Sequence, residues 1–171
     1  MSALWADEAL RSVRAGNIHL TLRFVGDTEE EVLIALKSGL DDIAAKWSVF
    51  DVNLDQVGAF PSLKRPRVVW VGVEDPNKKV KKLYLDVERL ARSLGWKREE
   101  KRFHPHVTLG RVRNRGRPPA EDWIADVPKA GFRVSSVCLI ESLIQAEGAE
   151  YRCLHRAAFS YAGLNRAKEL V

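Results

Sequence analysis

Asn17-Ile18-His19-Leu20-Thr21-Leu22-Arg23-Phe24-Val25 alternates residue by residue between apolar and polar side chains. On an extended chain, successive side chains point to opposite faces. Ile18, Leu20, Leu22 and Phe24 therefore share one face, and His19, Thr21 and Arg23 the other. The same frame returns as His106-Val107-Thr108-Leu109 inside the strand-like stretch Pro105 to Val112. In both copies apolar residues stand second and fourth, and a glycine follows within a few residues. Each copy thus turns a His and a Thr towards one side of a sheet and seats its apolar pair in a core.

Working outward, Gly26-Asp27 breaks the first strand, and Thr28 with Glu31 reads as a capping box for the helix behind it. Val32, Leu36, Leu40, Ile43 and Trp47 form that helix's apolar stripe. Phe50, Val52 and Leu54 alternate with Asp51, Asn53 and Asp55 in a second strand, and Val68 to Val73 is apolar on both faces, as a central strand is. Residues 78–94 predict a second helix burying Val80, Leu83, Val87, Leu90 and Leu94, with a lysine-rich outer face and Gly95 to end it. Val134 to Ile144 and Tyr151 to Phe159 read as two closing strands, turned at Glu147-Gly148. The order predicts an α+β fold with helices packed outside antiparallel sheets. No low-complexity linker interrupts it, so residues 1–171 read as a single domain.

Hydrophobic residues make up 46% and charged residues 30% of the chain, an ordinary globular balance. No apolar run is long enough for a membrane helix and no leader pattern precedes the first motif, which predicts a cytoplasmic protein without a membrane partner. Cys138 and Cys153 are too few for a disulfide framework or a thiolate zinc site. The net charge of +5 is concentrated locally, with Lys97, Arg98, Lys101, Arg102, Arg111, Arg113, Arg115 and Arg117 opposed within that stretch only by Glu99 and Glu100. Such a cluster is either a solvated basic loop or an attractor for a polyanion. Its position beside the second motif favours the polyanion.

The paired motif carries the chemistry. An imidazole exchanges a proton near neutral pH, its unperturbed pKa being about 6.5, and a threonine hydroxyl on the same face can hydrogen-bond an anionic oxygen. Two such strands across a cleft supply a base, an acid and two donors around a tetrahedral phosphate, which suffices for hydrolysis of a cyclic phosphodiester without metal or cofactor. One His-x-Thr on a strand means little, but two with matched frames among four histidines in all are hard to dismiss. His104 shares the face of His106 yet has no following Thr, and reads as a cleft-edge or structural residue. His155 lies in a terminal strand without the pattern and reads as a surface or interface residue. Neither motif histidine has a second ligand close by, as zinc would want, and there is no serine or cysteine nucleophile elbow.

At these residues the chain resembles the two-histidine phosphoesterase superfamily, in particular the RNA 2′,3′-cyclic phosphodiesterases historically called 2′-5′ RNA ligases. The likeness runs through Asn17 to Gly26, Gly58-Ala59-Phe60-Pro61-Ser62, Arg65 to Val73, Phe103 to Arg111, Leu139 to Leu143 and Tyr151-Arg152. It implies a bilobal fold, two antiparallel sheets around a central cleft, each lobe giving one His-x-Thr strand. It implies opening of a terminal RNA 2′,3′-cyclic phosphate to a 2′-phosphomonoester, tRNA fragments being among the possible substrates. The roles fall on His19, Thr21, His106 and Thr108, with His106 as the base for water and His19 as the acid. Arg111 matches a phosphate-binding position, although simple alternation puts it opposite His106, so a bulge or strand end must redirect it. Arg23 is its rival on the His19 face. Joining of RNA ends, action on another cyclic nucleotide or 2′-5′ oligonucleotide, and an RNA-binding module without turnover are the alternatives. The resemblance also implies a hydrophobic strand and a long helix before the first motif, whereas only 18 residues precede His19 here. Met1 to Arg14 offers no strand, and Ala3 to Val13 at best a short helix, so that region reads as missing or truncated. The expected state is a monomer with an open sheet edge through which chains can pair.

Overall fold

The structure is a computed structural model that describes residues 10–113, 130–145 and 148–161. Its described elements are β1 (Leu10–Ser12), a 3-10 turn (Ala15–Asn17), α1 (Glu30–Ala44), β2 (Phe50–Phe60), β3 (Val68–Glu74), α2 (Lys79–Ser93), β4 (His106–Val112), β5 (Gly131–Val134), β6 (Ser136–Gln145) and β7 (Gly148–Ala158). They form a five-stranded sheet in the order β1-β4-β3-β2-β5 and a two-stranded β6-β7 sheet. The pairings β1–β4, β4–β3, β3–β2 and β6–β7 are antiparallel, so the expected α+β class holds.

The chain divides into two compact units. The first holds residues up to Leu22, Val52–Lys78 and Phe103–Phe132. Its core lies on one face of the sheet, where Leu10 and Val69 are buried with Val57, Leu109 and Val112 packed against them. β3 is apolar on both faces, as its sequence predicts, and Val69, Trp70, Val71 and Val73 are all buried. The second unit holds Arg23–Asp51, Lys79–Arg102 and Arg133–Val171. There Leu36, Leu40 and Ile43 of α1 and Val80 and Leu83 of α2 are buried, as are Val137, Leu139 and Ala157 of the hairpin. Trp47, Phe50 and Phe159 close that core, with ring centroids 5.6 to 6.4 Å apart. Gly95, at φ +101°, ends α2 in the left-handed region that only glycine enters freely.

Several local expectations are corrected. Leu10–Ser12 is a strand, not part of a helix, and it pairs with β4 through Leu10↔Val112 and Ser12↔Gly110. Residues 17–25 are not a regular strand, since only Leu20 forms a bridge. The capping box does not form: Thr28 donates its hydroxyl to the Gly26 carbonyl, and α1 starts at Glu30 with no side-chain cap. Val87 and Leu90 on α2 and Leu94 just beyond it are half-buried, while the charged Glu88 is buried. Arg115, Arg117 and Glu147 lie outside the described residues.

Candidate functional site

Both motifs fall in the first unit, on neighbouring stretches of chain, where the resemblance led to one in each lobe. The link is the antiparallel bridge Leu20↔Val107. An antiparallel register carried one residue to either side of it would put His19 across from Thr108 and Thr21 across from His106. His19, Thr21, His106 and Thr108 are all half-buried.

The two imidazoles are held alike. His19 Nδ1 donates to the Asn17 carbonyl at 2.7 Å, and His106 Nδ1 donates to the His104 carbonyl at 2.7 Å. A carbonyl only accepts, so in each ring Nδ1 carries the proton and Nε2 is the position that gains or loses one. In both motifs the holding carbonyl lies two residues upstream. His104, read from sequence as cleft-edge or structural, supplies one of these carbonyls.

Alternation alone puts Arg111 and His106 on opposite faces. The β3–β4 ladder runs Gly72↔His106, Val71↔Val107, Trp70↔Thr108, then shifts to Val69↔Gly110 and Val68↔Arg111. Leu109 is the extra residue, a β-bulge. Val68 and Trp70 share a face of β3, so the bulge turns Arg111 onto the face of His106 and Thr108. Arg11 pairs with Arg111 from β1 and brings a second guanidinium to that row, which sequence reading missed because β1 carries no motif.

Arg23 is elsewhere. Its Nη1 lies 3.1 Å from Glu99 and 3.5 Å from Glu88, and its Nη2 donates to the Lys97 carbonyl at 2.7 Å. Its side chain is 8% exposed and ion-paired within the second unit. Alternation from His19 does not place this side chain, because residues 17–25 form no regular strand. His155 Nε2 donates to Asp41 Oδ1, 2.8 Å away, far in sequence from both motifs.

An aromatic cluster adjoins His106. Phe60 meets the His106 ring edge-on at 5.0 Å and Trp70 at 5.2 Å, and Trp70 lies 4.7 Å from the His104 ring. Gly58 makes room for it: a Cβ there would run into the indole of Trp70. Phe60 keeps 37% of its surface exposed beside the imidazole. The Gly58-Ala59-Phe60 segment is part of the family likeness, but its ring contacts are non-local and leave no periodic signal in the sequence. Among the described residues, no three His, Cys, Asp or Glu side chains gather as a metal site.

A family profile described as the 2′-5′ RNA ligase superfamily matches residues 4–143. The chain is 34% identical over 158 residues to the RNA 2′,3′-cyclic phosphodiesterase of Aeropyrum pernix, covering 90% of this chain and 89% of that protein. It is 32% identical to the Aquifex aeolicus protein of the same name, over 81% of this chain and 76% of that protein. The crystal structure of Escherichia coli LigT complexed with 3′-AMP matches with a TM-score of 0.68 at 30% identity, covering 89% of this chain and 82% of that one. A Thermus thermophilus protein of known structure shares the fold at a TM-score of 0.75 and 24% identity, over 92% of this chain and 86% of that one.

Proposed function

The chain belongs to the 2′-5′ RNA ligase superfamily, and from that premise we propose that it hydrolyses terminal RNA 2′,3′-cyclic phosphates with His19 and His106 as its acid–base pair. The observation that carries this reading is the Leu20↔Val107 bridge, which joins the two His-x-Thr motifs side by side. The matching Nδ1–carbonyl bonds support it, because they assign both imidazoles the same exchangeable atom.

His106 Nε2 takes a proton from water as the water oxygen attacks phosphorus. His19, protonated at Nε2, gives its proton to the departing 3′-oxygen. The P–O3′ bond breaks, and the products are a 2′-phosphomonoester and a free 3′-hydroxyl. Thr21, Thr108 and Arg111 stabilise the charge that gathers on the non-bridging oxygens. No step requires a metal ion or cofactor. Phe60 offers its exposed face to the terminal base.

The test is release of 2′-phosphate from an oligonucleotide ending in a cyclic phosphate, in excess EDTA. Steady turnover to the 2′-phosphate is expected. Loss of activity in EDTA with rescue by zinc or manganese would sink the metal-free mechanism, net joining of ends would reassign the chain as a ligase, and tight binding without product would leave an RNA-binding module.

A further inference from the structure

The second unit carries a surface that the hydrolytic site does not use. α2 has two acidic residues, and both are occupied. Glu88 is buried against Arg23, while Asp86 accepts the Trp47 indole N–H at 2.8 Å and pairs with Arg89. The charged residues that α2 exposes are all basic: Lys79, Lys81, Lys82, Arg89 and Arg92. α1 is opposite in character, exposing Glu30, Glu31, Asp41 and Asp42. Where the end of α1 meets α2 there is an open groove of about 360 Å³, lined by Lys46, Trp47, Lys82, Leu85, Asp86 and Arg89. Lys46 and Lys82 have no ion-pair partner among the described residues. Leu85 is 42% exposed at its edge.

We propose that this groove is a docking surface for the phosphodiester backbone of single-stranded RNA. Lysines present compact point charges that attract phosphates without reading sequence. Trp47 is held in place through its indole N–H, and with Leu85 it adds apolar surface for sugar or base between the cations. A groove lined by cations and an aromatic ring suits a chain that alternates phosphate with flat apolar groups. An acidic peptide lacks that alternation.

The experiment measures binding of a labelled single-stranded RNA of about 15 nucleotides ending in an ordinary 3′-hydroxyl, over a salt series. Because this RNA is not a substrate, the result does not depend on the hydrolytic reading. That reading stands or falls on cyclic-phosphate turnover alone. Lys46→Gln/Lys82→Gln should weaken binding at least fivefold at low salt. It should also lower the slope of log affinity against log salt by about 1.4, the release expected from two phosphate contacts on a single strand. Lys37→Gln/Arg156→Gln removes the same charge from elsewhere in the unit and should change affinity less than twofold. Equal losses in both double variants would reduce the effect to net charge and overturn the proposal. So would an unchanged salt slope, or displacement of the RNA by polyglutamate as readily as by unlabelled RNA.

Discussion

A histidine whose Nδ1 is tied to a backbone carbonyl has a fixed ring plane and a single atom at which protonation changes. His19 and His106 are both tied this way, and His155 instead meets a carboxylate. His19→Ala or His106→Ala should therefore each reduce turnover about a hundredfold or more, the usual scale of general acid–base catalysis. His155→Ala should stay within a few-fold, and comparable damage from all three would show that these are structural histidines. Arg23 makes a different prediction. Removing a buried cation leaves its carboxylate and carbonyl partners unmatched, at a cost of about 3 kcal/mol. Arg23→Gln should lower the urea midpoint accordingly. A rise in KM at unchanged stability would instead return Arg23 to the role of phosphate ligand.

At the scale of elements, the Leu109 bulge decides whether β4 presents two site residues or three. One extra residue reverses alternation for everything beyond it, and Arg111 is the beneficiary. A charged hydrogen bond to phosphate contributes about 1.5–3 kcal/mol. Arg111→Ala should then lower kcat/KM by about tenfold to a hundredfold, at 1.36 kcal/mol per factor of ten. Steady-state rates on 2′,3′-cyclic AMP measure this directly, and a variant indistinguishable from wild type would mean that the bulge serves only the sheet. The bulge lies in the β4–β3 pairing and the strand β1 in the β1–β4 pairing. Neither is visible along β4 alone, because a bulge exists only relative to a partner strand.

For the molecule as a whole, an acid–base pair predicts a bell-shaped pH dependence, rising as the base loses its proton and falling as the acid does. A profile with a single limb would mean that only one imidazole titrates in the reaction. The acid limb should not reflect unfolding through the exposed Asp51–Arg133 pair. The hydrogen bond from Arg133 holds the Asp51 carboxyl below its ordinary range, against a smaller opposing effect of desolvation. A depressed carboxylate contributes stability above its unfolded pKa of about 3.9 and loses it as pH falls through the lower folded value. That window lies below the range in which imidazoles change charge. Thermal midpoints across the acid limb check this, and a fall in stability that tracks activity would contradict it.

The paired His-x-Thr frames, the two amphipathic helices, the apolar strand β3 and the closing hairpin are local patterns, and the sequence determined them by itself. Periodicity reports which face a side chain takes relative to its neighbours in the chain, and a motif repeated in that frame is legible without a partner. The tertiary structure alone decided that the two motifs meet through Leu20↔Val107. It alone turned Arg111 to the site through a bulge, drew Arg23 into an ion pair with Glu88 and Glu99, and made a strand of Leu10–Ser12. Each of these depends on register between residues distant in sequence. A shift of one residue exchanges the two faces of a strand, and nothing in the strand's own residues records which partner, or which offset, the fold selects.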